Sequence, residues 1–430
     1  MSEYDFDVIV VGAGVAGSVA AYQLAKQGYE VLLVERGAEP GTKNLSGGVL
    51  YSAVLEKIYG AAWADAPVER PVTRNVLSFL NADSAVNLDY WDERLAGNAV
   101  TVLRAKLDPW LAEQAEEAGA SVISGIKVDS LIREGDYFTG IRAAGEEMRA
   151  KVVILADGVN SFLAQGAGVR GKVPQSQLGL GIKAVIRLGE DTIRQRFQLG
   201  TAADGTAYTL VGDCTQGVAG GAFLYTNRDS VSVGVVLMLE DLQRKGLDSA
   251  EIFAHLLAHP YLAPLLADGE ILEYGSHLVA EGGKAMQRDL VHNGMLIIGD
   301  AAGFTINNGF SIRGMDLAAG SALAATEAVA AALEQADYSS VKLGKYLRHL
   351  EDSFVGKDMA TASKIPAFLA STPEMYGRTG ELVADVLYDI YRQNTTARLP
   401  LYQLVWQSLR RNSVKLYRTA QIVVAGVRAL

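Results

Sequence analysis

Asp7-Val-Ile-Val-Val-Gly-Ala-Gly-Val-Ala-Gly17, followed by a helix-like run and then Tyr29-Glu-Val-Leu-Leu-Val-Glu35, decides how this chain folds. Val8–Val11 is wholly apolar, as a parallel strand covered on both faces must be. Gly12, Gly14 and Gly17 follow in the spacing G-x-G-x-x-G, with Ala13 and Ala16 between them. Gly12 permits a tight turn, Gly14 lets backbone approach a pyrophosphate, and Gly17 lets a helix pack close on the strand. Ala16–Lys26 continues as that helix, its positive end aimed at phosphate. A second strand, Glu30–Val34, ends at Glu35, 18 residues after Gly17. A carboxylate there accepts the hydroxyls of an adenosine ribose, and Arg36 stands beside it. Strand, turn, helix, strand and acid in register predict a dinucleotide site.

The 430 residues allow about two or three domains, and 49% hydrophobic content with no low-complexity tract marks a globular chain. One cysteine, Cys214, excludes a disulfide framework and an internal iron–sulfur cluster, which needs about four thiolates. The acidic N-terminus runs into the first strand with no room for a signal peptide, so a reducing, cytoplasmic setting is expected. No segment reads as a membrane span. Met315–Leu333 comes closest but is alanine-rich and carries Asp316 and Glu327. The net charge of −10 argues against general nucleic-acid binding. Ala397–Leu430 departs from that balance, with six Arg and Lys and no Asp or Glu, so the tail is +6 and the remainder −16.

The fold class is α/β: a Rossmann-like nucleotide domain, an inserted antiparallel-sheet substrate domain and a helical C-terminal region. Strands at 8–11, 30–34, 121–123, 152–155 and 295–298 should share one parallel sheet. They are interrupted by strand-like runs Ile182–Leu188, Tyr208–Val211, Ala219–Tyr225, Ser230–Val236 and Ile271–Leu278. The nucleotide domain is therefore expected in three pieces, 1–73, 104–170 and 276–340. Residues 74–103 and 171–275 would form the substrate sheet, and 341–430 the helical region. Ala99–Leu103 reads as one of the sheet's strands. Leu107–Ala118 reads as a helix with Asp108 as N-cap and Pro109 at its first position. The loop Gly41-Thr-Lys-Asn-Leu-Ser-Gly-Gly48 leaves strand two toward the nucleotide crevice.

Two later motifs repeat one architecture. Ala156-Asp157-Gly158 and Gly299-Asp300 each tip a buried strand with a carboxylate, at the sheet edge where open α/β folds bind ligand. Taken alone, Asp157 reads as a turn residue capping a helix over Val159–Ala164, and it is the company of the other motifs that makes it a ligand-site residue. Gly309, Ser311, Ile312 and Arg313 are expected to open the long helix Ile312–Leu333 with free N–H groups, suited to an electron-rich cofactor edge. Gly166-Ala-Gly-Val-Arg-Gly171 repeats the glycine spacing, but no apolar strand precedes it and Pro174 prevents a helix after it. It is not a second nucleotide site. The five histidines are scattered, and no metal-ligand set or nucleophilic triad stands out.

The three motifs in this order resemble the large FAD-dependent oxidoreductase family of glutathione-reductase and p-hydroxybenzoate-hydroxylase type. That resemblance implies FAD as cofactor, with Gly48 and the motif residues lining its site. It also implies Arg104 near the cofactor and a backbone contact from Val128 to adenine. Gly220-Gly-Ala-Phe-Leu-Tyr225, Val233-Gly-Val-Val236, His259-Pro260 and Glu281-Gly-Gly283 narrow it further, with the segments Lys43–Gly48 and Gly309–Asp316. Together these are similar to the electron-transfer-flavoprotein:quinone oxidoreductases, in particular their short FixC form. The long members carry a four-cysteine cluster near the C-terminus, which this chain lacks. The resemblance therefore implies an electron transfer flavoprotein and a separate ferredoxin-like protein as partners, with quinone or another acceptor. Lys43, Asn44, Tyr225 and Arg313 are the candidates for contact with flavin ring or acceptor. The alternatives are a geranylgeranyl-reductase-like flavoenzyme and an FAD-carrying scaffold subunit. The basic tail Ala397–Leu430 suits a lipid surface, an acidic partner or packing on its own chain, and the first would put the protein at the inner face of the membrane.

Overall fold

The computed structural model describes residues 4–42, 47–372, 377–393, 395, 399–412, 421 and 424–427. Five parallel strands form the centre of one sheet. In spatial order they are Met295–Ile297, Glu146–Leu155, Phe6–Val11, Val31–Val34 and Ser121–Ile123. Val8, Ile9 and Val10 are fully buried, as are Leu32, Leu33 and Val152–Leu155, which explains why these runs hold no polar residue. The helix Val15–Ala25 covers one face, and the helices Arg104–Glu117 and Met315–Glu334 pack against it. Met315–Glu334 is long and apolar enough to cross a membrane, but most of it is buried in this core. Glu146–Leu155 has two roles. Its first half pairs antiparallel with Tyr137–Ala143, and its second half joins the parallel sheet.

The second sheet has seven strands, in the order Glu270–Ala280, Leu178–Arg187, Ser230–Met238, Gly220–Thr226, Thr206–Gly212, Arg74–Leu80 and Ala85–Trp91. It is antiparallel apart from the pair Thr206–Gly212 and Arg74–Leu80, which run parallel. Alternation gives it two unlike faces. The row Ala184, Val233, Leu224, Tyr208 and Val76 packs into a core with Ile193, Phe197, Ile252 and Phe253 from covering helices. The adjacent row, Lys183, Gly234, Phe223 and Thr209, points the other way, toward the nucleotide half.

Local readings fail in four places. The Ala99–Leu103 run becomes Val100–Val102 and pairs with Gly48–Leu50 and Val68–Pro71 in a separate three-stranded sheet. The helix expected at Leu107 starts at Arg104, so Asp108 and Pro109 lie inside it. Asp108 is not an N-cap; it pairs with Arg104 one turn earlier, at 2.6 Å and 2.7 Å. The helix after Asp157 begins at Phe162, preceded by Ser161, not at Val159. Finally, Gly309–Arg313 does not open a helix. Ile306–Asn307 and Ile312–Arg313 form a hairpin, and Met315–Glu334 starts after Gly314. Asn308 causes this: its Oδ1 accepts from the N–H groups of Phe310 and Ser311 at 2.9 Å and 2.7 Å, a turn that competes with helix. At the C-terminal end, Arg378–Tyr391 packs against Leu401–Arg411.

Candidate functional site

Backbone bonds hold the ends of the parallel strands in step. Gly12 N–H donates to Val34 at 2.8 Å, Ala156 N–H to Val11 at 2.9 Å and Ile298 N–H to Leu155 at 2.9 Å. Their C-terminal ends therefore lie in a row along one edge of the sheet: Glu35, Gly12, Asp157 and Asp300, in that spatial order. The motifs that sequence placed far apart come together there.

The glycines of the first motif divide by purpose. A Cβ on Gly17 would stand 1.8 Å from the Gly12 carbonyl oxygen, so Gly17 is required by packing. A Cβ on Gly14 would meet no protein atom nearer than Arg104 Nη2, at 3.5 Å. Gly14 is also the N-cap of Val15–Ala25 and puts no side chain over the helix's first N–H groups. The surface there is bare, positive and bordered by a guanidinium, which suits a pyrophosphate. Ala13 and Ala16 are buried beside it. Glu35 bends back over the turn, its carboxylate accepting from Ala13 N–H at 2.9 Å and Gly37 N–H at 2.6 Å. Two such bonds fix its orientation and leave lone pairs for ribose hydroxyls. Arg36 is exposed. The Gly125–Val128 segment is tied to the same place, with Ile126 N–H donating to Glu35 O at 2.9 Å and Val128 buried at the start of its strand.

Arg104 gives Nε and Nη2 to Asp108, so Nη1 stays clear of that bridge. Burial pulls the Arg104 pKa down, but the fully buried Asp108 outweighs this and holds it above its ordinary value. Asp157 accepts from Leu163 N–H at 3.3 Å through Oδ2, while Oδ1 is buried with no partner among the described residues. Burial pushes its carboxyl up to about 6, and Gly158 continues the turn at φ +77° beside half-buried Ala156. Gly299 has φ +61°, and a Cβ on it would be 2.7 Å from Ala16 Cβ, so the second acid-tipped strand is seated on the first motif's helix. Asp300 is accessible within the cleft yet crowded by protein. That crowding raises its pKa against the pull of Arg104 and His277. An unpartnered carboxylate oxygen, an uncapped helix end and a second accessible acid along one row fit a cofactor with phosphate at one place and hydroxyls on either side.

The remaining predicted residues frame the gap between the sheets. Gly48 packs on Met315 at the start of the long helix. Lys43 and Asn44 lie outside the described residues. Gly309 N–H donates to Asn307 Oδ1 at 3.0 Å, Ser311 N–H to Asn308, and Ile312 pairs with Asn307, so these groups are engaged within the hairpin. The hairpin reaches the seven-stranded sheet through Thr209 Oγ1, which donates to Phe310 O at 2.6 Å. Arg313 is shared by Asp316, at 2.6 Å, and Asp358, at 2.7 Å, and lies 5.6 Å from the Tyr51 ring centroid. Burial lowers its pKa, but the two carboxylates prevail and keep it above the ordinary value. Tyr225 is half-buried and stacked on Phe223 at 4.8 Å, and burial raises its phenol. A surface cleft of about 500 Å³ lined by Arg74, Asp89 and Trp91 shares none of these residues.

Sequence reasoning missed Lys183 and Glu281. Each had a signal: a lysine inside an otherwise apolar strand, and an acid at the start of a Gly-Gly turn. Glu281 is buried, with Oε2 accepting from Asn307 Nδ2 at 3.2 Å and Oε1 unpartnered among the described residues. Burial pushes its carboxyl up to about 7.

Residues 5–205 match the family described as FAD binding domain. A probable electron transfer flavoprotein-quinone oxidoreductase, YdiS of Escherichia coli K12, is 45% identical over 94% of this chain and 95% of its own length. Protein FixC of Salmonella typhi is 42% identical over 93% and 94%. Among solved structures, a geranylgeranyl bacteriochlorophyll reductase-like protein from Thermoplasma acidophilum superposes with a TM-score of 0.72. It is 21% identical and covers 97% of this chain and 98% of that one. The flavin-dependent brominase Bmp2 gives 0.65 at 18% identity, covering 96% and 99%. At that identity the last two establish the fold alone. The cofactor is FAD. When bound, it supplies the two-electron store. The acceptors and the bare helix end along the row from Glu35 to Asp300 fit its phosphates and hydroxyls.

Proposed function

This chain belongs to the FixC-type electron-transfer-flavoprotein–quinone oxidoreductases, and on that premise we propose that an electron transfer flavoprotein reduces its FAD. Quinone or another acceptor then takes the electrons, with a separate ferredoxin-like iron–sulfur protein as companion. The observation that carries the companion is Cys214. This lone thiol is fully buried, 3.6 Å from Leu210 O, with burial raising its pKa to about 12. It ligates nothing outside the sheet, so any cluster in the electron path sits on another chain. The gap between Tyr225, Tyr51 and the hairpin is the proposed place for the acceptor.

The test is anaerobic mixing of the FAD-loaded chain with reduced electron transfer flavoprotein, then with a soluble quinone analogue. Flavin bleaching in the first step and recovery in the second are expected. Bleaching that needs both partner proteins present would make the chain an FAD-carrying subunit of a larger complex. Absence of transfer under either condition, with turnover of an unsaturated prenyl lipid, would overturn the reading in favour of a geranylgeranyl-reductase-like enzyme. We place the protein in the cytoplasm at the inner face of the membrane. The basic stretch Ala397–Leu430 and the exposed Leu401, Tyr402 and Trp406 support that placement.

A further inference from the structure

Along Leu178–Arg187, Gly179, Gly181 and Lys183 share the face turned to the nucleotide half, while Ile182 and Ala184 enter the sheet's own core. Lys183 lies opposite Gly234. A Cβ there would stand 2.5 Å from the Phe223 ring and 2.8 Å from Lys183 Cγ, so the glycine makes room for lysine stem and ring side by side. The ammonium is 5.3 Å from the Phe223 centroid and donates to Gly47 O at 3.2 Å. A Cβ on Gly47 would fall 2.1 Å from Ser232 Oγ, so Gly47 is seated directly on the sheet. Lys183 is thus fixed between Phe223 and the end of the glycine loop.

Its electrical surroundings are unusual. Among the described residues no carboxylate forms an ion pair with Lys183. Burial drives its pKa down to about 8, and the nearby Arg104 cation pushes in the same direction. The Arg104–Asp108 ion pair serves Arg104, whereas Lys183 has no carboxylate of its own among the described residues. Arg104 also borders Gly14 and lies in electrostatic reach of Asp300. With adenosine at Glu35 and pyrophosphate at Gly14, the gap bordered by Asp300, Gly47 and Lys183 remains for the isoalloxazine ring.

We propose that Lys183 is the cation that faces the FAD ring from the seven-stranded sheet and favours the reduced over the oxidised cofactor. A flavin that has gained two electrons and one proton carries one more negative charge than the oxidised form, and Lys183 meets that charge. Lys183 acts through charge and moves no proton. The inference rests on FAD in this site and on neither the donor nor the acceptor, so failure of transfer from electron transfer flavoprotein would leave it standing.

The test is the midpoint potential of bound FAD, measured by anaerobic dithionite titration with mediator dyes in the full chain and in Lys183→Met. Oxidised FAD should bind both within about twofold. The Met variant should hold reduced FAD about tenfold less tightly relative to oxidised, which for a two-electron couple is a potential about 30 mV lower. Lys183→Arg should restore the native value. Lys183→Gln keeps a donor for Gly47 O without the charge, and gives the same reading if Met does not retain flavin. An unchanged potential in the uncharged variant that holds FAD, or an equal shift in Arg, overturns the proposal.

Discussion

Glu281 stands at the end of the edge strand with one oxygen held by Asn307 and the other buried without a partner among the described residues. Burial raises its pKa from 4.5 to about 7, so the folded protein holds this proton more tightly than the unfolded chain does. The stability this contributes is fully present below about 4.5 and is lost as pH rises through about 7. Glu281→Gln removes that dependence. Relative to the native chain it should gain roughly 2–3 kcal/mol between pH 4 and pH 8, read by urea unfolding of FAD-free protein. An equal difference at the two pH values would show that the carboxyl finds water. Gly299 makes a second prediction at this scale. Alanine there meets both the positive φ and Ala16 Cβ at 2.7 Å. Gly299→Ala should cost about 1–3 kcal/mol and weaken FAD binding at least tenfold, measured by thermal unfolding and flavin titration.

At the scale of elements, what the sequence makes legible depends on how local the cause is. The strand–turn–helix at Asp7–Lys26 is specified within itself, and it folds as read. The row of strand ends was legible in part, because each acid closes its own apolar run. The hairpin at Ile306–Arg313 was not: glycine, serine and a following alanine-rich run look like a helix start, and the side chain of Asn308 decides otherwise. The helix at Arg104 was read three residues late because Asp-Pro resembles a start, while the true reason for Asp108 is Arg104 one turn earlier. Lys183 escaped because the face on which a strand residue lands depends on partners distant in sequence. Asn308→Ala removes the acceptor of two turn N–H bonds. It should raise amide exchange across 306–313 at least tenfold and weaken FAD binding severalfold, with little change in overall stability. Unchanged exchange would mean that the strand pairing and the Thr209–Phe310 bond hold the hairpin without Asn308.

At the scale of the whole molecule, the nucleotide half and the seven-stranded sheet are joined by buried polar contacts, among them fully buried Arg70, which donates to Asn227 O at 2.6 Å and Arg228 O at 2.8 Å. Lys183 reaches Gly47, Ser232 abuts the same loop, and Thr209 ties down the hairpin. The C-terminal helices are a separate surface feature. Leu409 is buried and Arg411 pairs with Asp385 and Asp389, while Leu401 and Trp406 remain 58% and 53% exposed. If this surface meets lipid, Leu401→Ser with Trp406→Ser should reduce co-sedimentation with anionic vesicles about tenfold and leave flavin content unchanged. Equal sedimentation of variant and native chain would count against a membrane contact here.

The burial of Cys214 also has a practical side. A thiol with no exposed surface and a pKa near 12 stays protonated and out of reach of alkylating reagents in the folded protein. A cysteine introduced on the hairpin or on the C-terminal helices would therefore be the one reactive thiol in the chain. Spectroscopic probes could be attached there without first removing a native cysteine, and the distance from flavin to a docked partner followed directly.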